Sequence, residues 1–188
     1  MSSLGRAIDV LHERYGVPHI VITSVSLSHP DHPDSSLSVV GSSMTSDRRS
    51  RAFKIVFPSI DCYFSGTGDM FAALMVVRMR EAVCATPGLQ EKTSWLSDDS
   101  VDALDLPLAK AAEKVLATMH EVLTKTAEGI EETVKKAREG VARETNGDGN
   151  KDEQKKTHLL KSKAAELKLV RHVDSLRSPT VEFRARKM

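Results

Sequence analysis

The sequence predicts an α/β fold, and three features of the chain carry that prediction. Residues 3–15 have apolar side chains at helical spacing and are followed by Gly16, a residue type that commonly ends helices. Residues 20–25 form a nearly continuous β-branched run, typical of a strand covered on both faces in a parallel sheet. A glycine-rich turn then links an extended stretch at 53–57 to a long apolar helix. Helix, glycine stop and buried strand make the α–β half of a βαβ unit.

A loop and two short strands are predicted to follow the first strand. Residues 26–36 are rich in serine and proline, whereas residues 37–40 and 53–57 are apolar and extended. The basic cluster at 47–51, Asp-Arg-Arg-Ser-Arg, lies between the two strands. A solvated hairpin tip explains this cluster better than a contact with nucleotide phosphates.

Two other features raise the question of a metal or thiol site. Residues 29–34 alternate histidine, proline and aspartate, but the prolines prevent a helix, and a solvated loop is favoured over metal ligands. Cys62 and Cys84 have neither a disulfide framework nor metal-ligand spacing. Cys62 lies just before the glycine-rich turn, where a reactive thiol is conceivable; a small buried side chain is the favoured interpretation.

Two helices dominate the middle of the chain. The first is predicted at 70–83 and ends at the Thr-Pro-Gly of 86–88, before an irregular stretch at 93–107. The second is predicted at 108–143. Its later part, around 131–136, has few apolar residues, which favours a solvated helix end over a coiled-coil surface.

The end of the chain is predicted to be irregular. Residues 144–156 are rich in glycine, asparagine and charge and contain no leucine, isoleucine or valine, which indicates a disordered insert. Residues 161–168 are ambiguous between strand and helix, and apolar residues alternate over 181–185 as in an edge strand. The predicted domain is therefore formed by residues 1–143 and 157–188, on either side of the insert.

The composition and charge of the chain limit the classes of function that it can have. The 188 residues carry a formal charge of +1, which gives no global field for binding nucleic acid. Hydrophobic residues make up 40% of the chain and aromatic residues only 4%, which indicates a core of aliphatic and methionine side chains. No apolar run has membrane-spanning length and no signal peptide is recognised, so a cytoplasmic protein without membrane partners is expected.

The glycine-rich turn is the most informative motif. Gly66 and Gly68 permit a tight turn whose backbone can approach a ligand. A helix that starts there directs unpaired N–H groups and its positive dipole end at one spot, which suits a phosphate. Asp69 lies at the rim, where a carboxylate could accept the proton of a hydroxyl that attacks phosphorus. A plain turn with an acidic first-turn residue remains the alternative, and the absence of Gly-Lys-Ser/Thr excludes a Walker A loop.

Residues 66–74, Gly-Thr-Gly-Asp-Met-Phe-Ala-Ala-Leu, resemble the C-terminal signature of the ribokinase-like superfamily. Four further stretches narrow the resemblance to pyridoxal kinase, with fungal-type members the closest in appearance. They are Ile-Val-Ile-Thr-Ser at 20–24, His-Glu-Val-Leu at 120–123, Leu-Lys-Leu-Val at 167–170 and Ser-Pro-Thr-Val-Glu-Phe at 178–183. The resemblance implies the C-terminal half of a ribokinase-like three-layer α/β/α sandwich.

This resemblance implies ATP-dependent phosphorylation of the 5′-hydroxymethyl group of pyridoxal, pyridoxine or pyridoxamine. Asp69 would be the general base and would contact the substrate. Gly66, Thr67 and Gly68 would form the anion hole, with N–H groups directed at the γ-phosphate of ATP. The nucleotide would bring Mg²⁺, and the family forms homodimers.

Other residues are assigned to the nucleotide by the same resemblance. Thr23 and Ser24 match a strand end that contacts the phosphates, and Thr23 would also contact a monovalent cation. Ile60 and Leu123 match apolar positions that flank the adenine, and Thr67 would contact ATP. Thr23 and Ser24 are also compatible with the start of a loop, and Ile60 and Leu123 with ordinary core.

This sequence has no counterpart of the family's early strands, of its lid over pyridoxal or of its mid-chain residues that bind phosphate. A half sheet would expose the edge of one strand and the apolar faces of its helices, so poor solubility or oligomers are expected. The alternative function is a non-catalytic remnant that binds nucleotide weakly or pairs with a full-length kinase subunit.

Overall fold

A computed structural model describes residues 3–26, 35–141 and 166–188 of the chain. These residues combine helices with one β-sheet. Short 3₁₀ turns lie at Leu89–Glu91, Thr93–Trp95 and Leu169–His172. In chain order, the helices and strands are α1 (Ser3–Tyr15), β1 (His19–Val25), β2 (Ser36–Met44), β3 (Ser50–Pro58), α2 (Thr67–Cys84), α3 (Pro107–Val141), α4 (Val173–Arg177) and β4 (Arg186–Lys187).

The described strands form one antiparallel sheet in the order β1-β2-β3-β4. Val40 in the middle of β2, for example, pairs with Ile22 of β1 on one side and Lys54 of β3 on the other. The expectation of a parallel neighbour for residues 20–25 is therefore wrong for the pairing that is described. A β-branched run identifies a strand, but the direction of its partner depends on the connection, and here β2 follows β1 along the chain.

The first helix has its predicted bounds, and Gly16 ends it. Gly16 adopts a φ of +62°, in the left-handed region that glycine enters without a steric penalty. Its N–H donates to the carbonyl of His12 at 3.0 Å, and the N–H of Val17 donates to that of Leu11 at 3.2 Å. On its inner face, Ile8 packs with Ile20 and Val40 of the sheet.

The hairpin of β2 and β3 is longer than predicted. Nine residues of each strand pair continuously, from Ser36 with Pro58 to Met44 with Ser50. The serines of β2 interrupt the run of apolar residues from which the strand was predicted. Ser38 and Ser42 are nevertheless completely buried in the fold.

The basic cluster divides between the hairpin tip and β3. Asp47 and Arg49 form an exposed ion pair of 2.9 Å at the tip, as the solvated interpretation predicted. Arg51 departs from that interpretation because its guanidinium donates to four backbone carbonyls at 2.7–3.3 Å, those of Met44, Ser97, Asp98 and Val101. This side chain fastens the hairpin to the chain around residues 97–101.

The described contacts divide the chain into two compact units. Unit 1 comprises Met1–Ser59, Phe71–Ala117 and Thr180–Met188, and unit 2 comprises Ile60–Met70 and Thr118–Pro179. The main core lies in unit 1. It is built from aliphatic side chains around the fully buried Phe53, in agreement with the composition; its other members are Val39, Ile55, Met79, Val83, Leu89, Leu106, Leu108, Ala109, Ala111, Ala112, Leu116 and Ala185.

The two central helices largely confirm their predictions. The first begins three residues earlier than expected, at Thr67, and the second begins at Pro107, a residue type favoured at the first helical position. On α2, Val76 and Val77 are 73% and 54% exposed, so apolar surface is open on this helix as expected.

The last strand, β4, is shorter than the edge strand predicted from the alternating apolar residues at 181–185. Only Arg186 and Lys187 pair with β3, whereas residues 181–185 are not part of a strand. Their anchor is Glu113 of α3, a buried carboxylate that accepts from the N–H of Ala185 at 2.9 Å and from Arg184 at 3.0 Å.

Several expectations concern residues outside the described ranges. These are the histidine-rich loop at 29–34, the insert at 144–156, the domain boundaries at 143 and 156, and most of 161–168. They stay predictions. Among the helices that the structure describes, none is long and apolar enough to cross a membrane.

Candidate functional site

The glycine-rich turn leads directly into α2. Gly66 adopts a φ of +82°, a conformation that nearly every other residue type would find strained. Its carbonyl accepts the first helical hydrogen bond, from the N–H of Met70 at 3.1 Å. Gly66 is therefore the N-terminal cap of α2, and Asp69 is the third residue of the helix.

This geometry leaves backbone donors available at the start of α2. The N–H groups of Gly66, Thr67, Gly68 and Asp69 precede the first bond of the helical ladder and have no acceptor within the helix. An 18-residue helix adds the positive end of its dipole at the same place. The two effects together favour a negatively charged ligand.

The turn is open around its glycines. A Cβ atom built on Gly66 or on Gly68 would meet no heavy atom within 4 Å. Both glycines and Asp69 are exposed, and Thr67 is half-buried. A ligand can therefore reach the backbone of the turn and the Asp69 carboxylate in the described structure.

A backbone bridge supports the turn from one side. Ser65, the residue before the turn, pairs in parallel with Glu166 within unit 2. Glu166 precedes the Leu-Lys-Leu-Val stretch that the sequence placed in the family's closing segment. Sequence reasoning missed this pairing because the two residues are far apart in the chain and no periodic pattern marks a single bridge.

Thr23 and Ser24 form a bulge near the end of β1. The ladder advances by three residues on β1, from Ile22 to Val25, while β2 advances by two, from Val40 to Ser38. Ser24 has a φ of +56°, which is rare for a residue with a side chain. Both residues are exposed. Bulges with a strained residue are common beside functional sites, because the extra residue redirects backbone and side chains.

The two predicted adenine contacts are half-buried. Ile60 lies after β3, where its carbonyl accepts from the N–H of Cys62 at 2.8 Å, and Leu123 lies within α3. Both belong to unit 2 with the glycine-rich turn, and Thr23 and Ser24 belong to unit 1. Neither Ile60 nor Leu123 is among the fully buried core residues.

The described residues offer no obvious alternative chemistry. No group of three or more histidine, cysteine, aspartate or glutamate side chains is placed to hold a metal ion within them. Cys62 is half-buried rather than buried as the favoured interpretation had it, and its thiol donates to the carbonyl of Tyr63 at 3.6 Å.

Two curated proteins of Schizosaccharomyces pombe, both named as candidate pyridoxal kinases, are similar to this chain. The first is 31% identical over 125 residues, which cover 66% of this chain and 35% of that protein. The second is 28% identical over 123 residues, which cover 64% and 33%. No protein-family model matches the chain. The chain thus spans about a third of the length of the curated relatives it matches.

Solved structures of pyridoxal kinases share the fold. The Leishmania donovani enzyme in complex with ADP superposes with a TM-score of 0.57 and 17% identity, covering 93% of this chain and 41% of that one. The Plasmodium falciparum enzyme with AMP-PNP and PL gives a TM-score of 0.53 and 16% identity, covering 97% and 41%. This chain is therefore similar to part of the proteins named as pyridoxal kinases and has the ribokinase-like α/β fold.

Proposed function

We propose that this chain supplies part of a pyridoxal kinase, which transfers the γ-phosphoryl group of ATP to the 5′-hydroxymethyl group of pyridoxal. The observation that carries the proposal is the start of α2, where four backbone donors and one carboxylate lie together in an open turn. The names of the curated relatives support a kinase function, and related structures are described with ADP, pyridoxamine and pyridoxine.

In this reaction the residues of the turn have separate roles. Asp69 accepts the proton of the substrate hydroxyl as its oxygen attacks the γ-phosphorus. The N–H groups of Gly66, Thr67 and Gly68 stabilise the negative charge that spreads over the phosphoryl oxygens during transfer. The glycines keep side chains out of the space that the phosphate must enter. A Mg²⁺ ion bound with the nucleotide would neutralise its phosphates.

The remaining candidate residues bind the nucleotide. The hydroxyls of Thr23 and Ser24 contact its phosphates from the bulge, and Thr23 contributes an oxygen to a monovalent cation. Ile60 and Leu123 provide apolar contacts to the adenine ring. Pyridoxine and pyridoxamine are accepted as further substrates, and the cytoplasm is the proposed location.

The direct test is a chimera. The segment of the first Schizosaccharomyces pombe relative that matches this chain is replaced by this chain, and ATP-dependent formation of pyridoxal phosphate is measured beside the unaltered relative. We expect the chimera to form pyridoxal phosphate and its Asp69→Asn variant to lose most of that activity. A chimera that binds ATP but forms no product, while the parent does, would contradict the catalytic proposal.

The second candidate is a non-catalytic remnant that binds nucleotide weakly or pairs with a full-length kinase subunit. We expect the 188-residue polypeptide alone to give no measurable turnover, because both substrates must be positioned together and it spans only a third of its relatives. Calorimetric titration with ATP, and with a full-length relative, would separate the two candidates. Nucleotide binding without activity in the chimera supports the remnant.

A further inference from the structure

β1 is an edge strand that lacks the usual protection against pairing with another chain. Within the described ranges, β1 pairs only with β2, and the side of residues 19–22 that faces away from β2 is termed here the open edge. Residues 19–25 contain no proline, lysine, arginine, aspartate or glutamate, the residue types that commonly protect an exposed edge. At the opposite edge, β4 is protected, because it consists only of the exposed basic residues Arg186 and Lys187.

The packing of β1 is that of a strand inside a sheet. Ile20 is buried in the cluster formed with α1, and Ile22 packs against the same cluster. Val21, on the other face, packs against the main core of unit 1. Strands covered on both faces are typical of sheet interiors, so the open edge favours a further strand over solvent.

Hydrogen bonds fix which flank of α1 faces the hairpin of β2 and β3. Asp9, which directly follows the buried Ile8, accepts from the hydroxyl of Ser50 of β3 at 2.6 Å. One turn later, the carbonyl of Glu13 accepts from the guanidinium of Arg48 at 3.2 Å. Because each residue turns the helix by about 100°, the residues that precede the buried positions lie on the opposite flank.

That opposite flank is apolar and exposed. Ala7, Leu11 and Tyr15, which we term the apolar row, lie at four-residue spacing on it; Leu11 is 36% exposed and Tyr15 71%. The buried side of α1 packs on Ile20 of β1 and Val40 of β2, so the helix lies over these two strands. The apolar row therefore borders the open edge.

We propose that the open edge and the apolar row form the interface of a two-fold dimer of this chain, in which β1 pairs antiparallel with β1 of a second copy. A two-fold axis perpendicular to the sheet keeps α1 of both copies on the same face. With strands about 4.8 Å apart, a helix over β1 and β2 lies about 5 Å from that axis, which separates the two α1 helices by about 10 Å. Packed helices are about 8–10 Å apart, so the two apolar rows meet.

A second copy covers more of this surface than an isolated strand does. A lone strand would complete the sheet and leave the apolar row exposed, whereas a second copy brings a helix together with its strand. The interface is also closed, because each β1 is used once and the combined sheet ends at the protected β4 of each copy. A formal charge of +1 gives little repulsion between copies. The dimer does not depend on the kinase reaction proposed above.

The experiment measures the mass of the full chain by sedimentation over a series of concentrations. We expect a dimer that dissociates on dilution, and Leu11→Lys should raise its dissociation constant by about tenfold or more, because two like charges meet at the interface. Val10→Lys is the matched control. Val10 is 42% exposed, similar to Leu11, but it lies two residues after Ile8 on the outer face of α1. This variant should dimerise like the unaltered chain.

Hydrogen exchange of the unaltered chain tests the strand itself and gives the decision if Leu11→Lys does not fold by circular dichroism. Amides on the open edge should become protected as the concentration rises, with no change in the amides of β3. A monomer at every concentration, equal effects of the two lysine variants, or exchange at the open edge that does not change with concentration would each overturn the dimer. Protection that appears only when a full-length relative is added would assign the open edge to that partner and reject the second copy.

Discussion

At the scale of single residues, the glycines of the turn were predictable and the strained serine was not. Gly66 is a residue type that enters the left-handed region freely, so its sequence context before an apolar helix indicated both the turn and the helix start. Ser24 has a similar φ without any such signal, because serine rarely adopts it. His12 was also unforeseen: its ring is buried and bonds the carbonyl of Val17 and the hydroxyl of Ser42.

Asp69→Asn tests the general base. Asparagine preserves the shape and the helix start but cannot accept the hydroxyl proton. In the chimera with the Schizosaccharomyces pombe relative, we expect kcat to fall by about 10²–10⁴, the usual contribution of a positioned base, with nucleotide affinity nearly unchanged. A kcat within about threefold of the parent would leave Asp69 as an acidic residue that merely stabilises the start of α2.

Thr67→Pro tests the backbone donors. Because Thr67 is the first residue of α2, proline should be tolerated there by the helix, and only one N–H group is lost. We expect weaker ATP binding in calorimetric titration with little change in the melting temperature. Thr67→Ala, which keeps the N–H, is the matched control. Equal affinities of the two variants would argue against an anion hole.

At the scale of elements, the sequence located the helices well and the strand lengths poorly. The ends of α1 and the start of α3 have local signals, a glycine and a proline, that need no tertiary context. The hairpin of β2 and β3 is extended by buried serines, whose strand conformation depends on cross-strand pairing rather than on apolar periodicity. The same holds for β4, which a two-residue pairing defines.

Gly41→Ala tests the packing of this hairpin. A Cβ atom at Gly41 would lie 2.2 Å from the ring of its buried cross-strand partner Phe53, so the ring must move. We expect the free energy of unfolding to fall by about 1–3 kcal/mol in urea titrations.

Gly129→Ala in α3 is the matched control for Gly41→Ala, since nothing lies within 4 Å of its added Cβ. It should raise the free energy of unfolding by about 0.5–1 kcal/mol, because alanine restricts the unfolded chain and favours the helix. If both substitutions had the same effect, the close approach of Phe53 to Gly41 would not govern the hairpin.

At the scale of the whole molecule, the sequence indicated the fold class but not the direction of the strands. The motifs that resemble a known family led to the ribokinase-like α/β fold, which comparison with solved structures confirms. The inference of a parallel sheet rested on composition alone, and composition carries no information on which strand becomes the neighbour. The division of the chain into two units likewise depends on long-range contacts that no local pattern reports.

We expect acid to lower the free energy of unfolding, and the Glu81→Gln variant measures the part of this effect that is due to Glu81. Hydrogen bonds from Arg78, at 2.8 and 2.9 Å, are the main cause that lowers the pKa of Glu81 below 4.5. A carboxyl with a lowered pKa stabilises the fold above about pH 4.5, and this contribution is lost as the pH falls through the folded-state pKa.

Glu81→Gln should therefore lower the free energy of unfolding at pH 7 by about 0.2–1 kcal/mol, because the side chain of Glu81 is 42% exposed and solvent weakens the pair. The difference from the unaltered chain should shrink towards pH 3 in urea titrations. A difference that grew as the pH fell would contradict a lowered pKa.

The bulge at Thr23 and Ser24 also makes the proposed phosphate contact and the pairing of the sheet separable by mutation. Because β1 has one residue more than β2 between paired positions, deleting Ser24 would restore a regular ladder with Val25 opposite Ser38. The sheet would thus survive a single-codon deletion that straightens the strand and removes the proposed phosphate contact. A lineage could lose this phosphate contact in one step while it keeps the fold, and an intact bulge in related sequences would then indicate continued selection for the contact.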